Sequence, residues 1–164
     1  MRYAQIRDSD ISNGVGIACS IFFQGCTNRC KNCFNKQTWG FEGGKFLSED
    51  DIKDFISLCK QPFIDCISIL GGEPFDQPRE ELYNFVKRLR EEVNKDIYIW
   101  SGYTYEELQK SEYNKLILGK CNYLIDGKYI EELKDYTLKL RGSSNQRVID
   151  LKKTKELNKV VALY

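Results

Sequence analysis

Four short apolar runs recur along the chain, and each stops at a loop carrying glycine or cysteine. They are Gly16–Phe23, ending at Gly25-Cys26, Cys66–Leu70 at Gly71-Gly72-Glu73, Asp96–Trp100 at Ser101-Gly102, and Asn122–Ile125 at Asp126-Gly127. Runs of this length, rich in isoleucine and aromatic residues and bounded by turn residues, read as strands. Helical patterns fill the gaps. Ser48 reads as an N-cap, after which Ile52, Phe55, Ile56 and Cys59 fall at i, i+3, i+4 and i+7 on one face. Pro78 opens a second helix whose buried face is Leu82, Phe85, Val86, Leu89 and Val93, and Thr104 with Glu107 forms a capping box for a short third. Strands alternating with helices predict an α/β domain with a mostly parallel sheet. With 164 residues the chain reads as one domain, 1–164, too short for eight βα units. A partial (β/α) barrel or an open curved sheet is therefore expected.

Beyond Ile125 the pattern weakens, with Gly142-Ser143-Ser144-Asn145 reading as a turn. The charged stretches Arg88–Lys95 and Lys152–Lys159 read as a solvated helix end and a solvated tail segment.

In parallel α/β sheets, ligands bind at the carboxyl ends of the strands. The loops that end the four runs should then share one rim. The first holds Cys26, Cys30 and Cys33 in a C-x3-C-x2-C spacing. Three thiolates can occupy three corners of a four-iron cubane and leave one iron open to a small molecule. A structural zinc site ordinarily takes four ligands, and here there is one C-x2-C unit and no histidine. An electron-carrying cluster needs a fourth thiolate, which Cys19 or Cys66 could supply by folding back. The three-cysteine cluster needs no such addition.

Composition narrows the chemistry further. Seven cysteines, an odd number in a chain of this length, read as ligands and buried apolar residues rather than as a disulfide framework. Cys19, Cys59, Cys66 and Cys121 belong to the buried class. The absence of histidine removes the commonest general base. A net charge of +1 gives no electrostatic reason for nucleic-acid or membrane partners, and no run suits a membrane span or a signal peptide. A cytoplasmic protein is expected.

The loop Cys26-Thr27-Asn28-Arg29-Cys30-Lys31-Asn32-Cys33 resembles the cluster loop of the radical S-adenosylmethionine superfamily, and Gly71-Gly72-Glu73-Pro74 resembles that superfamily's second signature. The chain is more specifically similar to the family of activating proteins of anaerobic ribonucleotide reductase. The matching pieces are Asp10–Gly16, Phe23–Cys26, Asn35–Trp39, Ile99–Tyr103, Ile125–Tyr129 and Arg141–Arg147. Two positions depart from the superfamily pattern. Asn32 stands before the third cysteine where an aromatic is common, with Phe34 after it, and Ala18-Cys19 replaces a basic or polar pair.

The resemblance implies a partial barrel of the radical S-adenosylmethionine type and a [4Fe-4S] cluster on Cys26, Cys30 and Cys33. Gly71, Gly72 and Glu73 would hold the methionine end of S-adenosylmethionine. Asn32, Cys33 and Phe34 would lie beside that cofactor by adjacency, and the Ser101 hydroxyl either contacts it or closes its strand. The Trp100 ring is expected to fill the core. No side chain is assigned proton transfer. The implied partners are the anaerobic ribonucleoside-triphosphate reductase, as protein substrate, and a low-potential one-electron donor such as flavodoxin or ferredoxin. Two alternatives stay open: an activase of another glycyl-radical enzyme, of the formate-lyase type, and a non-catalytic iron–sulfur electron-transfer or zinc module.

Overall fold

Every backbone group of a buried strand needs a neighbour, and the apolar runs find theirs in one another. In the computed structural model, which describes residues 1–164, strands β2 (Ala18–Phe23), β4 (Cys66–Gly71), β5 (Asp96–Trp100) and β6 (Tyr123–Asp126) lie side by side and parallel. Three further strands, not anticipated from the pattern, extend this centre. At one side β1 (Arg2–Asp10) runs antiparallel to β2, and the two-residue β3 (Lys45–Phe46) pairs with it. At the other, β7 (Arg147–Asp150) runs antiparallel to β6. The result is an open, mixed, seven-stranded sheet in the order β3-β1-β2-β4-β5-β6-β7.

The strand period of two sorts side chains cleanly between the faces. Cys19, Ile21 and Phe23 of β2, Ile67 and Ile69 of β4, Ile97 and Ile99 of β5, and Leu124 of β6 join a core of 25 buried residues. Five helices close that face: α1 (Glu49–Cys59), α2 (Arg79–Glu92), α3 (Tyr105–Leu108), α4 (Glu112–Leu118) and α5 (Leu151–Leu157). Of the predicted stripes, Phe55, Ile56 and Cys59 are buried on α1 and Leu82, Phe85, Val86 and Leu89 on α2, whereas Ile52 is half-buried and Val93 is buried just beyond the end of α2. Ser48 caps α1 and Thr104 caps α3, each in a reciprocal capping box. The opposite face carries a smaller cluster of Ala18, Cys66, Tyr98, Ile125 and Val148 and no covering helix. No helix is long and apolar enough to cross a membrane.

Some expected boundaries and environments shift. The first central strand starts at Ala18 rather than Gly16, because Gly16 (φ +83°) turns the chain and Asp65 accepts the Ile17 N–H at 2.7 Å. The fourth starts at Tyr123, and Asn122 instead uses its side-chain oxygen to accept the Ile97 N–H at 2.9 Å. Arg88–Lys95 is more than a solvated helix end. Arg90 donates to the Lys120 and Lys95 carbonyls, and the Lys95 ammonium donates to the carbonyls of Cys59 and Gln61, both at 2.7 Å. Lys152–Lys159 lies largely in α5, which buries Leu151 and Thr154. Trp100 sits on the helix-free face, half-buried against the smaller cluster. Cys19, Cys59, Cys66 and Cys121 are buried free thiols, as expected.

Candidate functional site

The β2–β4 pairing positions the site. Phe23 stands opposite Gly71, so both chains leave the sheet at the same level. The ladder continues past the strand ends, with the Gly72 N–H donating to the Phe23 carbonyl (2.8 Å) and the Glu73 N–H to the Gly25 carbonyl (2.9 Å). Glycine is required here for two different reasons. Gly71 has φ +114°, and a Cβ on it would lie 2.4 Å from the Phe23 backbone nitrogen. Gly72 has ordinary dihedrals, but its Cβ would lie 2.3 Å from the Gly25 carbonyl oxygen. The glycine pair and the cysteine loop are thus in backbone contact.

Glu73 locks this junction to the next strand. Its side chain is buried, at 1% exposure. One carboxylate oxygen accepts from the Ser101 hydroxyl (2.9 Å) and the Phe75 N–H (3.1 Å), and the other from the Gly102 N–H (2.7 Å) and Asn28 Nδ2 (3.0 Å). Burial pushes the carboxyl up to about 7, against the pull of these donors, which favour its charged form. Asp76 does similar work nearby. It accepts from the Thr27 N–H and hydroxyl, both at 2.8 Å, and from the Tyr103 hydroxyl at 2.6 Å. The beginning of the cysteine loop is therefore fastened to the turns that follow both β4 and β5.

The loop itself reverses twice through left-handed backbone, at Arg29 (φ 47°) and Asn32 (φ 57°). Asparagine tolerates that conformation better than most residues, which gives a local reason for Asn32 at its position. Burial raises the Cys26 and Cys30 thiols. Backbone N–H groups work the other way, those of Asn28 and Arg29 on Cys26 and that of Tyr129 on Cys30. The Cys33 sulfur accepts the Asn35 N–H at 3.3 Å. On Cys26 and Cys30 the backbone donors favour the thiolate, the form that ligates metal, against the larger pull of burial.

Cys26, Cys30 and Cys33 all line one cleft of about 350 Å³, open to solvent, together with Gly71, Gly72, Glu73, Ser101 and Phe34. Asn32 is exposed and lies outside the lining. The Ser101 hydroxyl is committed to Glu73 and to the Tyr103 N–H (3.0 Å). Phe34 is exposed, its ring centroid 5.3 Å from that of Tyr129, also on the lining.

No three histidine, cysteine or carboxylate side chains converge on a point that would grip a single ion. Three thiols around a cleft, each with backbone donors and none with a histidine beside it, suit a polynuclear cluster taken on separate irons better than a zinc ion. The donor set and the space fit such a group.

Sequence reasoning did not single out several other lining residues, among them Ser12, Asn13, Trp39, Tyr129, Arg141 and Gln146. The signal for them lay in the matched pieces Asp10–Gly16, Asn35–Trp39, Ile125–Tyr129 and Arg141–Arg147, which the fold brings to the same rim. Arg141 is the one cationic side chain on the lining, and its Nε is buried without a partner. Trp100 lines the cleft too, its indole N–H donating to the Leu140 carbonyl at 3.0 Å.

Comparison with known proteins adds two findings. Residues 12–149 match a family model described as a 4Fe-4S single cluster domain. The chain is also similar to proteins named anaerobic ribonucleoside-triphosphate reductase-activating protein. It is 37% identical to that of Haemophilus influenzae over 150 residues, 89% of this chain and 96% of the relative. With the Escherichia coli K12 protein it shares 36% over 156 residues, 93% of this chain and all of the relative. With that of Enterobacteria phage T4 it shares 34% over 151 residues, 90% and 93%.

Proposed function

The chain belongs to the family of anaerobic ribonucleoside-triphosphate reductase-activating proteins, and we propose that it works as a radical S-adenosylmethionine activase, a cytoplasmic oxidoreductase with a partial (β/α) barrel. In this reading Cys26, Cys30 and Cys33 would hold a [4Fe-4S] cluster, which would supply reductive cleavage of S-adenosylmethionine, with a flavodoxin- or ferredoxin-like protein as electron donor and a backbone glycine of the reductase as the site to be activated. The observation that carries the reading is the convergence of three thiols and a glycine pair on one cleft at the carboxyl ends of parallel strands.

The roles of the chain's own groups follow from their surroundings. Gly71 and Gly72 present backbone without side chains, which suits the methionine end of the cofactor. Glu73, held by four donors, keeps that turn against β5 and the cysteine loop, and Ser101 steadies Glu73 from the rim. Cys33 and Phe34 flank the cofactor's seat, whereas Asn32 supplies the loop's reversal. None of these groups is asked to carry a proton, in keeping with a chain without histidine. The open side of the cleft leaves room for a polypeptide substrate to complete the enclosure, in keeping with a partner that is a folded protein.

The test is anaerobic reconstitution with iron and sulfide, then dithionite reduction with S-adenosylmethionine and assay for 5′-deoxyadenosine. Deoxyadenosine formed by the wild type and lost in Cys30→Ala, with a glycyl-radical signal on added reductase, is the expected result. A tightly bound zinc ion, or a cluster that does not respond to the cofactor, would leave a binding or electron-transfer module.

A further inference from the structure

Trp39 holds a buried hydrogen-bond donor that nothing in the protein accepts. The residue follows a single 3-10 turn, Lys36–Thr38, immediately after the cysteine loop. That turn is stitched to the end of β2. The Gly25 N–H donates to the Thr38 carbonyl (2.7 Å), the Cys26 N–H to the Trp39 carbonyl (3.2 Å), and Gln24 Nε2 to the carbonyls of Gln37 (3.1 Å) and Gly40 (2.6 Å). The backbone on both sides of Trp39 is therefore held in place, and its carbonyl is bonded to the first cysteine of the triplet. The Arg29 guanidinium lies 5.4 Å from the ring centroid. The indole Nε1 is out of contact with solvent and has no partner, yet the residue lines the same cleft as Cys26, Cys30 and Cys33.

An orphaned buried donor forfeits its hydration without recompense, and native proteins rarely leave one unmet. An acceptor brought in by whatever fills the cleft would meet Nε1 once the indole, whose residue lines that space, turns from its present position closed to water. The acidic oxygens near the loop are already occupied, those of Glu73 by four donors and those of Asp76 by Thr27 and Tyr103. What the three thiols would bring into that space is sulfur.

We propose that the Trp39 indole N–H donates a hydrogen bond to a sulfur of the iron–sulfur cluster and thereby raises the cluster's reduction potential. The inference rests on the cluster reading above and adds to it a residue outside both signature motifs. Reduction adds negative charge to the sulfurs, so a fixed donor stabilises the reduced state more than the oxidised one.

The test is a spectroelectrochemical titration of reconstituted wild-type protein and Trp39→Phe, without S-adenosylmethionine. At equal iron and sulfide content, the reduced-to-oxidised ratio at a given potential should fall about tenfold in the variant, equivalent to about 59 mV for a one-electron couple. A second measurement needs no variant. Wild-type protein grown on tryptophan labelled with heavy nitrogen in the indole, reduced and examined by pulsed electron paramagnetic resonance, should show coupling from an indole nitrogen to the cluster. The other tryptophan, Trp100, already donates to Leu140.

Equal potentials at full loading, or no nitrogen coupling, would overturn the proposal. So would a variant that keeps its potential but binds S-adenosylmethionine more weakly, since the donor would then belong to that cofactor. A wild-type protein that assembles no four-iron cluster would fail earlier, at the reading of the cysteine loop, and would take the inference with it.

Discussion

The Glu73 carboxyl is a point where burial and hydrogen bonding oppose each other. Its folded-state value of about 7 lies above the ordinary 4.5, so the native state binds the proton more tightly than the unfolded chain does. The stability this contributes is fully present below about pH 4.5 and is lost as pH rises through 7. Unfolding free energy should fall across that window by up to about 1.4 kcal/mol per pH unit. Glu73→Gln cannot ionise and leaves at least one of the Phe75 and Gly102 N–H groups facing an amide NH2. It should be less stable than wild type by about 2 kcal/mol at pH 5, the gap narrowing towards pH 8. Urea titrations at several pH values check this, and parallel slopes for both proteins would refute it. At Gly71 the backbone itself forbids a side chain. Gly71→Ala should cost about 3 kcal/mol or more in the same assay, because its Cβ would meet the backbone of Phe22 and Phe23, which cannot move aside. The need for glycine there was legible from the strand-end motif. The outward placement of Asn32 was not, because adjacency to a ligand says nothing about which way a left-handed residue points.

At the level of elements, the caps were legible because they are local. Ser48 and Asp51 bond within three residues of each other, so the signal and the structure occupy the same window. Ser48→Ala should lower stability by about 1 kcal/mol, read from the thermal midpoint. The edge strands behave differently. β7 is secured to β6 partly by Arg147, which donates to Asp126 at 3.0 and 2.5 Å and to Glu106 at 2.8 Å. Asp126 is 1% exposed and otherwise accepts the Tyr105 N–H at 2.7 Å, whereas the Glu106 side chain is 58% exposed. Arg147→Met should therefore cost about 3 kcal/mol, since it strands a buried carboxylate. Glu106→Gln should cost less than about 1 kcal/mol. Equal effects in a denaturant titration would contradict this asymmetry. Neither strand was visible beforehand. Arg2–Asp10 is half-exposed and polar, and Arg147–Asp150 has only four residues, so neither shows a period strong enough to read.

Across the whole molecule, two faces of one sheet do separate jobs. The helix-covered face holds the 25-residue core, and the cysteine and glycine loops sit at the sheet's edge and open onto the other side. Of the three cysteines only Cys26 is buried, and none belongs to that core. Iron should therefore be dispensable for folding, unlike in small domains that fold around their metal. The metal-free protein and Cys26→Ala, Cys30→Ala and Cys33→Ala should keep a cooperative thermal transition and native near-ultraviolet dichroism. A non-cooperative apo protein would mean that the cluster holds the fold together. What could be read in the chain alone was whatever depends on neighbours in sequence: the alternation of strand and helix, the caps, the buried stripes, the cysteine spacing and the glycine pair. The assembled fold was needed for whatever depends on distant partners: the antiparallel edges, the four donors around Glu73, the position of Arg141 on the rim, and the unmet indole N–H of Trp39. Periodicity and propensity act over a few residues, whereas strand partners and cleft walls are chosen by burial and hydrogen bonding among segments up to a hundred residues apart, which no local window contains.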